Sequence, residues 1–442
     1  MDSFAYRAGG LCCEDVPASD IAESIGTPTY VYSRHTIVDH YTKIRSAFAE
    51  LDPLICYSIK SCSNLSICKT LVDLGSGMDV VSGGELERAT IAGCPPEKMV
   101  YAGVGKTDAE IRAALSGKHG MLGPIDRNPI GWFNIESEEE FENIARIARE
   151  MNVVGHGALR VNPDVDPKTH VYTTTGKKET KFGVDLERAA AFFEKYGRDK
   201  HLRLDAIHIH LGSPIYTTEP YEKGITKVLG LIDRLERDGH RITAIDLGGG
   251  FGADYESDKS PSAVDYAAAI VPMLRDRVRA GTRMILEPGR SIVANAGVLL
   301  TRVLYTKQGG NKTFVVTDAG MHTLIRPSLY GSFHFIWPAN PAPRHVPAKR
   351  AEKMEMAGLV PCDVVGPICE SSDFLAKDRA LPPVKRGDLL AVFGAGAYGM
   401  AMASNYNTHM LPAEVMVDKT AWRVVRARQG LSDLLAAERA AL

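Results

Sequence analysis

The chain has 442 residues, of which 45% are hydrophobic and 24% are charged, and its formal net charge is −2. This length and composition are typical of a globular protein with two substantial domains. The near-zero net charge argues against a nucleic-acid or membrane-surface partner, because such partners attract clustered Lys and Arg. Neither a signal peptide nor a run of about 18 apolar residues is recognisable, so we expect no membrane span.

The eight cysteines are scattered along the chain, and no CxxC pair occurs among them. The spacing therefore predicts neither a zinc site nor a thioredoxin-like motif, and we expect no bound metal. Reduced thiols in a cytoplasmic enzyme are the simplest interpretation of such a pattern.

The first two thirds of the chain alternate short apolar runs with amphipathic, helix-like stretches such as Ser137–Met151. Eight strands that are each followed by a helix, within about 240 residues, predict a closed (β/α)8 barrel rather than a doubly wound open sheet. The eight runs that predict these strands are Leu54–Ile59, Met78–Ser82, Met99–Gly103, Trp132–Ile135, Ala158–Val161, Ala206–His210, Ile242–Leu247 and Met284–Glu287.

Beyond residue 290 the pattern changes, because strand-like segments dominate and helical runs are rare until Leu431–Leu442. We therefore predict a second, mainly-β domain over residues 291–442, with the barrel over residues 31–290. Residues 1–30, together with the strand-like Thr29–Tyr32, are expected to join the β domain. The stretch Ser116–Ile130 has no periodicity and is interpreted as an insertion after the third strand. The strand-like segments are Val298–Tyr305, Thr313–Asp318, Leu389–Phe393 and Arg423–Arg428.

Lys60 ends the first predicted strand, in Leu-Ile-Cys-Tyr-Ser-Ile-Lys. Catalytic groups of such barrels lie at the C-terminal ends of the strands. A partly desolvated lysine there has a lowered pKa and is available for Schiff-base chemistry. From this residue alone, a surface lysine just past a strand is the better interpretation. Asp79, on the second strand, is a buried carboxylate that could pair with the lysine or orient a histidine.

Glycines follow the seventh predicted strand directly, in Gly-Gly-Gly-Phe-Gly over Gly248–Gly252. Such a turn lets backbone N–H groups approach an anion closely, and barrels often bind phosphate after strands seven and eight. A tight structural turn is the competing interpretation, but it rarely needs three consecutive glycines. No Gly-Lys-Ser/Thr follows, so the turn is not a Walker loop.

Glu287 ends the eighth predicted strand, in Glu-Pro-Gly-Arg. A buried carboxylate needs a cation, and a protonated pyridine nitrogen would serve; a structural ion pair with Arg290 is the alternative. His208 and His210 share one face of the sixth strand, where one of them could stack on a flat ring, although a core histidine is the commoner case. Ser213 could reach a phosphate. An amine, a phosphate cradle and a carboxylate at strand ends of one barrel together predict a site for pyridoxal phosphate.

Motifs that occur in the same order along nearly the whole chain resemble those of a known enzyme family. The chain resembles the fold-type III pyridoxal-phosphate-dependent decarboxylases, which include ornithine and arginine decarboxylases, and among them the diaminopimelate decarboxylase family. The matching stretches are Tyr57–Lys60, Gly77–Leu86, Gly103–Lys106, Thr175–Gly183, His208–Ser213, Asp246–Gly252, Glu287–Arg290, Arg326–Tyr330, Gly366–Asp373 and Gly394–Tyr398.

The resemblance implies a role for individual residues. Lys60 matches the lysine that binds the cofactor aldehyde, His210 the residue stacked on its ring, and Glu287 the partner of its pyridine nitrogen. Cys369 matches the thiol that returns a proton after carbon dioxide leaves. The resemblance also implies a homodimer, in which the loop bearing Cys369 completes the active site of the other subunit. The remaining cofactor contacts implied or inferred are Asp79, Ser213, Gly249, Gly250, Gly289, Arg290 and Tyr398, and the implied substrate contacts are Arg290, Arg326, Tyr330, Glu370 and Tyr398.

The implied activity is decarboxylation of meso-2,6-diaminopimelate to L-lysine and carbon dioxide. The distal carboxylate of that substrate would suit a bidentate arginine such as Arg326, and its ammonium would suit Glu370. Ornithine has no distal carboxylate, so Arg326 would repel its amine. Some positions depart from the family pattern: Ser61 and Cys62 stand where Ala and Asn are usual, and the chain after Asn407 lacks the usual Arg- and Pro-containing continuation.

Three alternatives remain open at this stage. One is a decarboxylase for another carboxylated substrate, such as carboxynorspermidine. Another is an amino-acid racemase of the same fold type, although such racemases pair the pyridine nitrogen with arginine, against Glu287. The last is a non-catalytic homologue, which would be expected to have lost Lys60 or Cys369, whereas this chain has both.

Overall fold

The structure is a computed structural model that describes residues 2–116, 128–166 and 181–442. Most of the predicted insertion at Ser116–Ile130 and the beginning of the motif Thr175–Gly183 lie outside the described residues. The chain divides into two compact units. The barrel unit comprises His40–Gly252 and Ser260–Arg290, and the sheet unit comprises Met1–Asp39, Ala253–Lys259 and Ser291–Leu442.

The barrel unit is built on eight parallel strands that close on themselves. Neighbouring strands pair in chain order, and the ring is completed where Ile285 pairs with Leu54. This confirms the predicted (β/α)8 architecture. The strands are β1 (Leu54–Ser58), β2 (Gly77–Val80), β3 (Met99–Tyr101), β4 (Trp132–Ile135), β5 (Gly155–Asn162), β6 (Leu202–His208), β7 (Ala244–Asp246) and β8 (Arg283–Leu286).

Helices follow the strands, and most of them begin at a side chain that caps the first turn. Ser82, Thr107, Ser137 and Ser262, for example, accept a hydrogen bond from the backbone N–H three residues later. The helices of the barrel unit include Leu65–Asp73, Gly83–Ile91, Asp108–Leu115, Glu138–Met151, Leu186–Tyr196, Glu219–Arg237 and Ala263–Arg279, while Arg34–Ala47 precedes β1 and Arg290–Val293 follows β8.

One layer of the barrel interior is apolar, and its residues come from seven of the eight strands. Its members are mostly small or β-branched, as the narrow interior of an eight-stranded barrel requires. The polar residues of the barrel are therefore concentrated towards the C-terminal ends of the strands, where the sequence predicts the site. The apolar layer consists of Leu54, Cys56, Val100, Trp132, Ala158, Ala206, Ala244 and Ile285.

The sheet unit contains a mixed nine-stranded sheet and a separate three-stranded antiparallel sheet. The strand Thr29–Ser33 lies inside the large sheet, because it pairs antiparallel with Gly297–Gly309 and parallel with Ala413–Asp418. The prediction of a second, mainly-β region is confirmed. The other strands of the large sheet are Lys312–Thr317, Ile336–Pro338, Val360–Val365, Phe374–Leu381, Leu389–Val392 and Ala421–Arg426, and the small sheet consists of Phe4–Arg7, Gly10–Cys13 and Val16–Pro17.

Helices are few in the sheet unit: Ala18–Ile25, the five-residue Arg326–Tyr330 and Leu431–Arg439. Among the residues that the structure describes, no helix of either unit combines the length and the apolar character that crossing a bilayer requires.

Candidate active site

Lys60 lies in a short 3₁₀ turn, Ile59–Ser61, directly after β1. Its Nζ atom is 2.6 Å from Oδ2 of Asp79, which is fully buried on β2. The register of the sheet explains this pair, because Ser58 at the end of β1 is aligned with Asp79. Ser58 Oγ also donates to Asp79 Oδ2, at 2.6 Å. Burial and the nearby charge of Glu287 raise the pKa of Asp79, whereas Lys60 opposes that shift.

Glu287 follows β8 and is almost completely buried, with 4% of its surface exposed. Asn134 Nδ2 on β4 donates to its Oε1 at 3.0 Å, and His208 Nε2 on β6 lies 3.5 Å from its Oε2. Burial opposes ionisation of this carboxyl, but the electrostatic effect of neighbouring His208, the charge of Lys60 and hydrogen bonds from neighbouring side chains outweigh it and lower the pKa of Glu287. The barrel interior therefore contains an ionised carboxylate, that of Glu287, which can pair with a cation.

The glycine turn after β7 is packed too closely for side chains. A Cβ atom on Gly249 would lie 2.2 Å from the carbonyl oxygen of Glu287, and Gly250 has φ of +97°. The N–H of Gly249 donates to Nδ1 of His210, at 3.2 Å, and Tyr221 OH donates to the Gly249 carbonyl. Burial, reinforced by the charges of Arg160 and Lys60, lowers the pKa of His210 well below its usual value, so its imidazole is neutral.

Arg290 and Ser213 meet beside this turn. Arg290 Nε donates to Ser213 Oγ at 3.1 Å, although the residues are 77 positions apart in the sequence. Gly289 precedes this arginine, and a Cβ atom there would lie 2.9 Å from the Ser58 side chain. A buried guanidinium, a hydroxyl and a glycine turn offer hydrogen-bond donors to an anion such as a phosphate.

Cys369 and Glu370 lie on an exposed loop of the sheet unit. The backbone N–H of Cys369 donates to Asn407 Oδ1 at 2.8 Å, and Tyr406 OH donates to Glu370 Oε2 at 2.7 Å. Ser372 Oγ donates to the other oxygen of the same carboxylate. These two hydrogen bonds, from Ser372 and Tyr406, lower the pKa of Glu370 and keep it ionised.

Arg326 begins the short helix Arg326–Tyr330 and is 5% exposed. Its Nη1 atom donates to Nε2 of His334 at 2.8 Å, and the Nδ1 atom of that histidine faces the carbonyl of Phe393 at 2.9 Å. The guanidinium also lies over the ring of Tyr255, with its Cζ atom 4.7 Å from the ring centroid. This cation is therefore fixed in position by neighbours within its own unit.

Two further predicted contacts also lie in the sheet unit. Tyr330 is half-buried at the end of the helix that Arg326 begins. Tyr398 is half-buried as well and has a φ of +56°, a backbone conformation that few tyrosines adopt. A strained non-glycine residue marks a position that its surroundings determine strongly.

The structure thus brings the predicted cofactor residues of the barrel together at one end. Lys60, Asp79, His210, Glu287 and the glycine turn come from β1, β2, β6, β8 and β7 or the residues directly after them. Sequence reasoning alone did not single out Asn134, Asp246, Arg160 or Glu136. Each of these polar residues is buried near the end of a strand or directly after it, which is the signal that would have identified them.

The fold and this arrangement define a class of protein. Residues 34–294 match the pyridoxal-binding domain of the pyridoxal-dependent decarboxylases, and the chain belongs to that family. It is 44% identical to the diaminopimelate decarboxylase of Pseudomonas aeruginosa, over 99% of both chains.

Two solved structures are similar to it over almost their whole length. One is diaminopimelate decarboxylase from Helicobacter pylori complexed with L-lysine, at 38% identity and a TM-score of 0.86, covering 96% of this chain and 100% of that one. The other is the diaminopimelate decarboxylase of M. jannaschii in complex with L-lysine, at 33% identity and a TM-score of 0.88, covering 99% and 98%.

Pyridoxal phosphate is therefore the cofactor of this chain, and the residues of the barrel are suited to bind it. The barrel interior contains buried polar atoms that have no hydrogen-bond partner among the described residues. They include Asp79 Oδ1, Arg160 Nε and Nη2, and His208 Nδ1. Buried polar groups are normally satisfied, so these atoms indicate a polar ligand in the barrel.

Proposed function

We propose that the protein decarboxylates meso-2,6-diaminopimelate to L-lysine and carbon dioxide. The observation that carries the proposal is the 44% identity, over 99% of both chains, to a diaminopimelate decarboxylase. The arrangement of Lys60, Asp79 and Glu287 in the barrel supports it, because it supplies the amine and carboxylates that such chemistry requires.

Each barrel residue has a proposed task in holding the cofactor. Lys60 binds its aldehyde, and Asp79 keeps the lysine in place. Glu287 would hold a proton on the pyridine nitrogen, and neutral His210 would lie against the ring. Ser213, Arg290 and the glycines Gly249, Gly250 and Gly289 would bind the phosphate, and Tyr398 is a further proposed cofactor contact.

The cofactor, when bound, would supply an electron-poor ring able to accept the electron pair left by the departing carbon dioxide. Glu287 keeps that ring electron-poor because an ionised carboxylate stabilises the positive charge on the ring nitrogen. Cys369 then delivers a proton to the carbon that carried the carboxylate.

Substrate choice depends on the distal end of the molecule, which carries an ammonium and a second carboxylate. We assign the carboxylate to Arg326 and the ammonium to Glu370, with Tyr330, Tyr398 and Arg290 as further contacts. The low pKa of Glu370 supports this assignment, because an ionised carboxylate is what an ammonium group requires.

We further propose a homodimer with shared active sites, in which Cys369 and Glu370 of one subunit serve the barrel of the other. The exposure of both residues in the single chain supports this assembly. None of the eight cysteines forms a disulfide bond in the described part of the chain. That state is typical of a reducing compartment and supports the proposed cytoplasmic location.

The direct test is the formation of L-lysine from meso-diaminopimelate by the purified holoenzyme, with Lys60→Ala as the inactive control. Ornithine and carboxynorspermidine serve as competing substrates in the same assay. Faster turnover of carboxynorspermidine would keep the reaction class but replace the substrate. No turnover of any of the three by cofactor-loaded protein would contradict the proposal.

A further inference from the structure

Asp246 is a buried carboxylate of the barrel interior that the proposed mechanism does not use. It ends β7, where the sheet register aligns it with His208 on β6 and with Ile285 on β8. None of its surface is exposed. Its Oδ1 atom accepts the N–H of Gly248 at 2.8 Å, whereas its Oδ2 atom has no hydrogen-bond partner among the described residues.

The nearest acidic group is Glu287. One carboxylate oxygen of Asp246, one of Glu287 and one ring nitrogen of His208 all lie within 4.8 Å of one another. Two negative charges so close together in a buried place repel each other, so one carboxyl of such a pair normally keeps its proton. A proton on Asp246 would turn its unpartnered oxygen into a hydrogen-bond donor. The carboxylate of Glu287 could then accept that hydrogen bond.

The surroundings decide which of the two carboxyls keeps the proton. Glu287 receives a hydrogen bond from Asn134 and lies beside His208, and the ammonium of Lys60 also favours its charged form. Asp246 receives one backbone hydrogen bond only, among the contacts that the structure describes.

The charges around Asp246 agree with this geometry. Burial, and next the charge of Glu287, raise the pKa of Asp246 well above its usual value, and Asp79 on β2 adds to the shift. Burial, and next the charge of Asp246, raise the pKa of the Cys56 thiol on β1 well above its usual value, so the thiol carries no charge. Burial and the two neighbouring carboxylates, Glu287 and Asp79, therefore favour the neutral form of Asp246.

We propose that Asp246 is a positioning residue that keeps its carboxyl proton and donates it in a hydrogen bond to Glu287. The pair then carries a single negative charge, which stays on Glu287 and is available to the ring nitrogen of the cofactor. The inference rests on the proposed role of Glu287, and it adds a residue that acts through Glu287 without touching the substrate.

Infrared difference spectroscopy of the wild-type protein tests the proton directly. At about pH 8, where an ordinary aspartate is fully ionised, we expect a carboxylic-acid C=O band that shifts when the aspartates are labelled with ¹³C. The band should be absent from Asp246→Asn. Loss of all protonated-carboxyl signal in wild type at that pH, or a band that persists in the variant, would overturn the proposal.

The holoenzyme variants test the positioning role. The amide of Asp246→Asn can still donate to Glu287, whereas Asp246→Leu keeps the branched shape of the side chain but has no donor. We expect the leucine variant to lose at least about tenfold in kcat, in the range of a lost hydrogen bond to a charged group. In the pH profile of its kcat, the acid limb should move to higher pH, because Glu287 loses a donor that favours its ionised form. The asparagine variant, which keeps a donor, should retain most of the wild-type kcat and a pH profile close to that of the wild type.

Equal damage in the two variants would show that Asp246 acts as an anion and would refute the proposal. If the leucine variant does not fold, the infrared band of the wild-type protein still tests whether Asp246 keeps its proton. The cofactor spectrum of Glu287→Gln tests the role of Glu287 separately from the protonation of Asp246. An unchanged spectrum there would refute the role of Glu287, while the infrared result on Asp246 would stand on its own.

Discussion

Arg326 offers the sharpest test of substrate choice, because its surroundings allow the size of the effect to be stated. Arg326 is 5% exposed, and its guanidinium is fixed by His334 and the ring of Tyr255. Replacing Arg326 with Ala would leave the distal carboxylate of diaminopimelate without its cation, at a cost of about 2–5 kcal/mol. That cost corresponds to a loss of roughly 30-fold to several thousand-fold in kcat/KM.

The assay is the kcat/KM for meso-diaminopimelate, with the absorption spectrum of the cofactor measured on the same sample. The spectrum should be unchanged, because Lys60 and Glu287 remain. Ser332→Ala is a matched control, since it removes only the 3.3 Å contact of Ser332 with Arg326 and keeps the cation. Near-normal efficiency of Arg326→Ala would show that the arginine only anchors His334, and the assignment of the distal carboxylate would be wrong.

Three other outcomes are expected. Borohydride reduction followed by peptide mapping should find the cofactor on the peptide that contains Lys60, and a label on another lysine would contradict the site. Mixing Lys60→Ala with Cys369→Ala under subunit exchange should restore part of the activity; a mixture that stays inactive would indicate that both groups act within one chain. Tyr406→Phe removes a hydrogen bond that lowers the pKa of Glu370, so the pH below which KM rises should move upwards, and an unchanged KM profile would argue against Glu370 as the ammonium site.

The sequence was most informative where a functional residue follows directly from local pattern. Lys60 and Glu287 end runs of apolar residues, and the structure has both directly after barrel strands. The glycines at Gly248–Gly252 predicted a close backbone approach, and Gly249 indeed packs against the carbonyl of Glu287. Strand periodicity and glycine content are properties of a few neighbouring residues, so they can be read without knowing the fold.

Contacts across the barrel could not be read in this way. Asn134 donates to Glu287 from a position 153 residues earlier, and nothing in Trp-Phe-Asn-Ile predicts that partner. The contact depends on ring closure, which places β4 and β8 on the same interior. The partner of Arg326 was also missed, although His334 is only eight residues away. A histidine outside regular structure gives no periodic signal, so its orientation becomes known only from the packing of the sheet unit.

The position of Thr29–Ser33 inside the large sheet has a consequence for biosynthesis. This strand pairs with Gly297–Gly309 and with Ala413–Asp418, which the ribosome produces hundreds of residues later. Until then its backbone groups on both sides lack their partners, and an unpaired strand is a template for aggregation. The barrel sequence, by contrast, is complete by Arg290. A chain that terminates before residue 413 would therefore contain every barrel strand and still expose one side of Thr29–Ser33, which makes such a truncated product a substrate for chaperones and proteases.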